Sequence, residues 1–457
     1  MVSRRDWLTG AAGAVVAGSL PAAADVPAPA VLAPPDLGFL RDTPLVNADR
    51  LRYFMREAGL DALVVAKPAN VFYLTNHWPQ LDRMGFEGSA IAIYPADPAP
   101  PMALVMHAFL YYYTHSPESL VTDRLVFPYT QPADPAAGAP ADGSEPSAAP
   151  ARTMRVHDPE LLTDRDRHRV RMLSLAQPTS ADASWALARA LREMRLSDAR
   201  LGVDADGLEA TLRLRGVGAP VAPAENVLRR ARLSKSPAEI RMMRYAAQAN
   251  VEAAMAAAAR ARALGSSRRL RAEFYAEAAR RGNLGHFMVI GGSSAEVLDE
   301  PLIDGSSVSI DCVSTCRFYH GDFGRTIFVG EPREPVKRAA RAIENAWTEL
   351  RAQLRAGMRF ADVPRIGREA LRKQGADLTV SFTPHSVGLF HTDQPQPSLL
   401  GLRTPDALVL EENMILSVDC PVFEAGLGGT LHLEDLMLIR KDGAEPIHEV
   451  PPPVIVV

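Results

Sequence analysis

An α+β fold is predicted for this chain of 457 residues, on two observations. Long segments with apolar residues at helical spacing recur along the chain, and in the C-terminal half they lie between pairs of strand-like runs. Apolar residues make up 47% of the sequence and charged residues 23%, which is typical of a globular protein. The net charge of −4 argues against a nucleic-acid surface, and no later segment is apolar enough over a sufficient length to span a bilayer.

The first 30 residues resemble a twin-arginine export signal. Arg4 and Arg5 precede a weakly apolar run at residues 8–20, and three alanines at residues 22–24 then offer a cleavage site. Such signals carry folded proteins across the bacterial inner membrane. We therefore expect residues 1–30 to be signal and linker. The mature protein is expected to be periplasmic or secreted, with no membrane contact once the signal is removed.

An N-terminal α/β domain is expected over residues 45–225. Asn47 or Asp49 can cap a first helix, which Gly59 ends. A buried strand follows directly at residues 62–66. Later elements of the same alternating pattern are strands at residues 90–94, 103–106 and 201–203 and a helix at residues 181–194.

A second domain is expected over residues 231–457. It begins with a capping box, in which Ser236 and Glu239 frame a helix that has Pro237 in its first turn. Further helices are predicted at residues 334–354 and 361–373. Strands are predicted at residues 308–312, 326–329, 379–382, 415–419 and 431–439.

Four acids in this second half sit in or beside largely apolar strands. Because alternate side chains of a strand share a face, each acid is expected to point out of an otherwise apolar segment. A buried carboxylate is costly unless a cation or a hydrogen bond compensates it. A shared cation is one solution, and an arginine such as Arg325 is another. The acids are Asp311, Asp322, Asp419 and Glu434.

Histidines complete this set. His385 and His391 lie in the segment TPHSVGLFHTDQP, where a structural role is the alternative to ligation. Four carboxylates and one imidazole suit Mn²⁺ or Co²⁺ and accommodate Zn²⁺, and two such ions can together activate water toward a carbonyl. His432 shares the strand face of Glu434 and is a candidate to support it, whereas His320 is expected to point away from the partners of Asp311.

Five segments in order resemble the pita-bread metallopeptidase family, in its aminopeptidase P, prolidase and creatinase branch. They are ARLSKSPAEIRMMRYAAQA, IDCVSTCRFYHGDFGRT, PHSVGLFH, MILSVDCPVF and LHLEDLMLI. The resemblance implies a pita-bread C-terminal catalytic domain, preceded by a creatinase/prolidase-type α/β N-terminal domain. It also implies two divalent metal ions, with Mn²⁺ the first expectation, a short peptide substrate and a homodimer.

The resemblance also implies roles for single residues. Asp322 and Glu434 would bridge the two metals, and Glu434 would also help to position the nucleophilic water. His391 would contact the substrate or the tetrahedral intermediate, so the implied catalytic residues are His391 and Glu434. The implied metal ligands are Asp311, Asp322, His385, Asp419 and Glu434.

Three departures from the family pattern bear on specificity. Asp419 stands where the family has a glutamate, which shortens the reach by one methylene. His391 follows His385 by six positions instead of the usual seven. Proline-specific members carry a histidine before the first aspartate, where this chain has Asp299, and His286 lies too early to replace it.

The leading hypothesis is an exported metal-dependent peptidase of the Xaa-Pro aminopeptidase or dipeptidase type. Two alternatives stay open because of these departures. One is a creatinase-like or lyase-like enzyme that uses the same fold for a small non-peptide substrate. The other is a binding protein that keeps the fold without catalysis.

Overall fold

The computed structural model describes residues 35–85, 88–114, 116–137, 140–151, 154–175, 178–396 and 407–457. The predicted export signal, residues 1–30, lies outside the described residues. In the described part of the chain, no helix combines the length and apolar character needed to cross a membrane.

The N-terminal part is built on a six-stranded mixed sheet with the strand order β4-β3-β2-β1-β5-β6. Its central strand β1 is buried along its whole length, which fits a run of apolar residues covered on both faces. The strands are β1 (Ala62–Val65), β2 (Ala90–Pro95), β3 (Ala103–His107), β4 (Val126–Tyr129), β5 (Leu201–Val203) and β6 (Val221–Pro223). The helices are α1 (Ala48–Glu57), α2 (Pro68–Thr75), α3 (Ala108–Thr114), α4 (Asp164–Leu175), α5 (Ala183–Glu193), α6 (Asp206–Leu214) and α7 (Glu225–Leu233).

Local sequence explains where several of these helices begin. Asp182 accepts a hydrogen bond from the backbone N–H of Trp185 over 2.9 Å and so caps α5. Asn47 occupies the position before α1, but its side chain makes no capping bond there and reaches the carbonyl of Ser234 at 3.4 Å. Helix α7 crosses the predicted domain boundary, so the division into residues 45–225 and 231–457 stays a prediction.

The C-terminal part contains two four-stranded sheets with helices packed on them. Its helices are α8 (Pro237–Ala258), α9 (Ala261–Leu264), α10 (Ser267–Arg280), α11 (Glu334–Arg351) and α12 (Asp362–Lys373). Its strands are β7 (Leu284–Ile290), β8 (Ser306–Cys316), β9 (Tyr319–Val329), β10 (Thr383–Ser386), β11 (Ile415–Asp419), β12 (Met437–Ile439), β13 (Ala444–Pro446) and β14 (Val454–Val456). The sheet orders are β14-β9-β8-β7 and β10-β11-β12-β13.

Apolar burial fixes which helices cover which sheet. Helices α8 and α10 pack on the sheet of β7, β8 and β9, and α11 and α12 pack on the sheet of β10 to β13. The predicted capping box at the start of α8 is present, since Ser236 and Glu239 each bond the other's backbone N–H. The two sheets meet at backbone bridges between Gly324 and Glu434 and between Ser307 and Gly429.

One hydrophobic core extends through both parts of the chain. It contains Leu63 and Tyr73 from the N-terminal part together with Met242, Tyr319 and Leu438 from the C-terminal part, each almost completely buried. The first sheet and the two later sheets are therefore held to one another by shared apolar packing.

Four predicted strands differ from the observed ones. The strand predicted at residues 308–312 is an inner portion of the longer strand β8, and the strand predicted at residues 326–329 is the C-terminal end of the longer strand β9. The strand predicted at residues 379–382 is displaced to β10, so His385 lies within a strand instead of after one. Of the strand predicted at residues 431–439, only β12 is regular, because the preceding residues cross from one sheet to the other.

Candidate metal centre

The two aspartates of the β8–β9 hairpin lie on one face of it. Asp311 pairs with Gly324, and Asp322 pairs with Val313. Directly opposed residues of an antiparallel pair share a face, as do residues two apart on one strand. The carboxylates of Asp311 and Asp322 are therefore diagonal neighbours across the hairpin.

The neighbouring sheet supplies His385 from β10 and Asp419 from β11. His385 pairs with Ser417, which lies two positions before Asp419 on the same strand face. The Nδ1 atom of His385 lies 3.1 Å from the carbonyl oxygen of His391, which fixes this nitrogen as the donor. Nε2 of His385 is thereby left facing the acids, where it can ligate a metal once it has lost its proton.

Distances around that nitrogen define the centre of the site. Nε2 of His385 lies 3.6 Å from Oδ2 of Asp322, 3.6 Å from Oδ2 of Asp419 and 3.8 Å from Oε1 of Glu434. These separations exceed a hydrogen bond and are those of ligand atoms grouped around a common point. Three subsets of the site each offer ligand atoms that lie within 4.8 Å of one another. The subsets are Asp322 with His385 and His391, Asp311 with His432 and Glu434, and His385 with Asp419 and Glu434.

Glu434 enters the site from the bridge that joins the two sheets. Its backbone N–H donates to the carbonyl of Gly324 over 3.1 Å, which places its side chain beside Asp311. Ser417 donates its hydroxyl to Oε1 of Glu434, and Nε2 of His432 lies 3.1 Å from Oε2. Both carboxylate oxygens of Glu434 thus have a fixed partner.

Gly324 makes this approach of the two sheets possible. A Cβ at this position would overlap the imidazole of His432 and lie 2.9 Å from Cβ of Glu434. Real Cβ atoms do not approach that closely without a shift of their neighbours, so the absent side chain lets Glu434 and His432 reach the aspartates.

Burial and mutual repulsion disturb the ionisation of the acids. Burial, together with the charges of Glu434 and Asp322, raises the pKa of Asp311 well above its usual value. Burial and the charge of Glu434 likewise raise the pKa of Asp419. Burial and Asp322 raise the pKa of Glu434, but the imidazoles of His385 and His432 outweigh them and lower it to about 2.

Several of these buried polar atoms have no hydrogen-bond partner among the described residues. They are Oδ1 of Asp311, Oδ1 of Asp322 and Nε2 of His385. Arg325, the alternative partner considered for Asp322, instead donates to Oδ1 of Asp435 over 2.6 Å and to the carbonyl of Glu434 over 2.8 Å. Unsatisfied lone pairs in an oxygen-rich pocket are the pattern that a divalent cation completes. The residues present therefore fit a metal centre.

His391 lies at the edge of this centre. Its Nε2 atom is 3.0 Å from Oδ2 of Asp322, and its ring stacks on His385 with 4.7 Å between centroids. Its side chain is 37% exposed, whereas that of Asp322 is 1% exposed, so His391 alone of the two faces incoming solute. The shortened spacing between the two histidines still brings both rings to Asp322.

A buried ion pair that sequence analysis missed holds the loop of His391. Arg232 donates Nε to both carboxylate oxygens of Asp393, at 3.1 and 3.0 Å, and Nη2 to Oδ1 at 2.8 Å. Both side chains are completely buried. Asp393 lies two positions after His391 and was visible as an acid in that motif, but nothing local to Arg232 indicated its partner.

Two further histidines, His432 and His320, lie close to the centre. His432, noted as a candidate to support Glu434, contacts it, and the charge of Glu434 raises the pKa of His432 to about 9 although burial lowers it. His320 does not point away as expected, because its Nδ1 atom lies 3.4 Å from the carbonyl of Gly388 in the loop of His391.

Asp299 lies in an exposed loop, where its carboxylate accepts a hydrogen bond from the backbone N–H of Arg268 over 3.3 Å.

Comparison with known proteins identifies two matched regions. Residues 241–441 match the model of metallopeptidase family M24, and residues 48–139 match the creatinase/prolidase N-terminal domain. The probable dipeptidase PepE of Mycobacterium tuberculosis is 28% identical over 161 residues, which are 35% of this chain and 41% of that protein. The Xaa-Pro dipeptidase of Pyrococcus horikoshii is 26% identical over 148 residues, 32% of this chain and 40% of that protein. The matched segments thus span about two fifths of these relatives.

Solved structures share the fold over nearly the whole chain. Dipeptidase PepE from Mycobacterium ulcerans superposes with a TM-score of 0.59 and 20% identity, covering 90% of this chain and 98% of that one. The Xaa-Pro dipeptidase from Bacillus anthracis gives a TM-score of 0.62 and 17% identity, covering 90% and 99%. The architecture of both parts of the chain is accordingly that of these proteins.

Proposed function

We propose that this chain is a metal-dependent hydrolase of short peptides, since it belongs to the prolidase and aminopeptidase P branch of metallopeptidase family M24. The type we propose is an Xaa-Pro aminopeptidase or dipeptidase. The observation that carries the proposal is the group of orphaned oxygen and nitrogen atoms on Asp311, Asp322 and His385, which lie in one pocket with Asp419 and Glu434.

Five side chains would hold the metal. They are Asp311, Asp322, His385, Asp419 and Glu434, and we propose two divalent ions, with Mn²⁺ first and Co²⁺ or Zn²⁺ as alternatives. When bound, such ions act as Lewis acids on a peptide carbonyl and make water a better nucleophile. Asp419 reaches the group despite being one methylene shorter than the family's glutamate, since its Oδ2 atom lies 3.6 Å from Nε2 of His385.

The chain's own residues supply orientation and proton control. Glu434 is ionised at neutral pH because its pKa is about 2. Its Oε1 atom, which already accepts a hydrogen bond from Ser417, can therefore also accept one from the attacking water. His391 is the exposed donor beside Asp322, whose charge raises the pKa of His391 although burial lowers it. An imidazolium there can donate to the oxygen that becomes negative when the carbonyl is attacked.

The two oxygens of Glu434 are held from opposite sides, which defines the direction from which water is presented. Ser417 reaches Oε1 from β11, while His432 reaches Oε2 from the crossing segment. A carboxylate fixed in this way loses little freedom when the substrate binds, so its contribution is preorganised. Ser417 and His432 are accordingly proposed as positioning residues for Glu434.

A second candidate function is favoured by one observation. Asp299 stands where proline-specific members have a histidine, and it lies exposed with its carboxylate bonded to the helix start at Arg268. A creatinase-like or lyase-like reaction on a small non-peptide substrate is therefore the alternative.

Export by the twin-arginine route and a homodimeric state complete the proposal. Cell fractionation of an Arg4→Lys/Arg5→Lys variant tests export, and light scattering of the purified protein tests the dimer.

Metal depletion tests the proposed function directly. Chelated protein should lose hydrolysis of Xaa-Pro dipeptides and regain it with Mn²⁺, Co²⁺ or Zn²⁺. Asp322→Asn should remove both activity and metal, whereas the matched control Asp442→Asn, at an exposed position, should retain both. Full activity after chelation would overturn the proposal, and turnover of small amidines without peptide hydrolysis would favour the alternative.

A further inference from the structure

A cavity of about 710 Å³ lies beside the candidate metal centre, between the N-terminal and C-terminal parts of the chain. Trp78, Ile91 and Leu208 line it from the N-terminal part, and Phe318 and Leu389 line it from the C-terminal part. Close-packed protein interiors contain few voids larger than a water molecule. A space of this size falls instead in the range of ligand pockets, roughly 300–1,000 Å³.

A row of histidine rings connects this cavity to the metal centre. His286 and His320 line the cavity, and their rings stack with 5.6 Å between centroids. The ring of His320 meets that of His391 edge-on at 6.4 Å, and Nε2 of His391 lies 3.0 Å from Asp322. The cavity wall formed by His320 is therefore linked to Asp322 through the ring of His391.

The two cationic side chains on the cavity wall, Lys67 and Arg317, are already paired within the protein. Nζ of Lys67 lies 2.9 Å from Oε2 of Glu225. Nη2 of Arg317 lies 3.1 Å from Oε1 of Glu118, outside the cavity lining. The two cationic side chains of the lining are thus neutralised, and a charged occupant gains little from them.

Aromatic rings give the cavity its shape. Trp78 and Phe318 lie with their centroids 5.1 Å apart at an interplanar angle of 50°. Phe390, adjacent in sequence to His391, also lines the cavity. Rings of this kind pack favourably against the edge or the face of another aromatic group.

We propose that this cavity is the specificity pocket for a large apolar side chain, aromatic above all, carried by the substrate residue next to the scissile bond. This inference rests on the proposed peptidase function and deepens it. It also gives the N-terminal part of the same chain a direct role, since that part contributes most of the lining residues. Burial of a phenyl group in place of a methyl group should favour the larger substrate by at least about tenfold in kcat/KM.

Two wall-filling variants test the pocket. Gly207 lines it, and a Cβ added there meets nothing within 4 Å, so Gly207→Phe can occupy the mouth without displacing a neighbour. Ala66→Phe fills the cavity from the opposite strand end. Gly218→Phe is the matched control, because Gly218 is exposed, also has open space and lies outside the lining. Thermal unfolding checks that each variant folds. If Ala66→Phe does not fold, the test of the pocket rests on Gly207→Phe.

The kinetic arm compares Phe-Pro with Ala-Pro, and Ala-Phe with Ala-Ala, in wild-type protein and in the variants. We expect at least about tenfold preference for phenylalanine on one side of the bond. In Gly207→Phe this preference should be lost, because kcat/KM falls more for the phenylalanine substrate than for the alanine substrate. The control should behave as wild type. An equal rate for the paired peptides, or an equal loss on both, would overturn the pocket while leaving the peptidase function intact.

A binding arm separates failure of the pocket from failure of the proposed function. Calorimetry on the metal-free protein compares phenylalaninamide with alaninamide. Tighter binding of phenylalaninamide, abolished by Gly207→Phe, supports the pocket even if no peptide is hydrolysed, in which case only the peptidase function is refuted. Equal binding of the two amides counts against the pocket.

Discussion

Replacement of Gly324 by alanine tests the join between the two sheets. The added methyl group would overlap Cδ2 and Nε2 of His432 and lie 2.9 Å from Cβ of Glu434. Carbon atoms in contact are ordinarily about 3.5–4.0 Å apart, so the imidazole would have to retreat by roughly 1.3–1.8 Å. His432 is 6% exposed and Glu434 is fully buried, so there is no solvent-facing space to receive them.

The expected magnitude follows from these two displacements. Overpacking of a filled interior costs about 1–3 kcal/mol of the free energy of unfolding. The same shift breaks the 3.1 Å contact between His432 and Glu434, and loss of such a supporting partner lowers metal affinity by about 10–100-fold. Gly324→Ala should therefore reduce both the melting temperature and the affinity for Mn²⁺.

Calorimetric titration with Mn²⁺ and thermal unfolding of the metal-free protein measure the two effects separately. Gly218→Ala is the matched control, since a Cβ at Gly218 meets nothing within 4 Å, and it should match wild type in both assays. Wild-type affinity and wild-type melting temperature in Gly324→Ala would refute the argument that this glycine sets the geometry of Glu434.

Three further predictions follow from the same site. Arg232→Gln leaves Asp393 buried without its partner, which should cost about 3–5 kcal/mol of unfolding free energy and lower kcat by displacing the loop of His391. The same change at an exposed arginine serves as the control, and an unchanged melting temperature would contradict the prediction. Asp419→Ala should reduce the Mn²⁺ stoichiometry from two ions to one, as measured by plasma emission on dialysed protein, and two tightly bound ions in that variant would exclude Asp419 as a ligand. Affinity for Mn²⁺ should rise with pH, because Asp311 and His385 both have raised pKa values and must release protons when metal binds. Titrations in buffers of different ionisation enthalpy measure this release, and an absence of proton release would refute it.

Local sequence signals were sufficient for parts of the fold. The start of α8 was predictable because its capping box uses residues only three positions apart, Ser236 and Glu239. The convergence of the acids was also predictable in outline, since strand alternation and family resemblance both point to one face. The hairpin pairing of Asp311 opposite Gly324 supports that expectation.

Elsewhere the outcome depended on contacts that sequence alone does not reveal. The strand expected at residues 379–382 is interrupted because Phe382 adopts a φ of +47°, a conformation unusual for a bulky residue. Regular pairing resumes only at β10, which tolerates Pro384 because it is an edge strand. The pairing of Arg232 with Asp393 spans 161 positions, so no local pattern reports it.

The apolar core shared by Leu63 and Tyr73 with Met242, Tyr319 and Leu438 limits how this protein can be taken apart. Cleavage of the polypeptide between its N-terminal and C-terminal parts would leave complementary apolar surfaces exposed on the two fragments. Each fragment would then tend to aggregate. Exchange of the N-terminal part between relatives would succeed only if the residues of the C-terminal part that contact it were exchanged as well. The two parts of this chain are thus expected to fold, and to be engineered, as one unit.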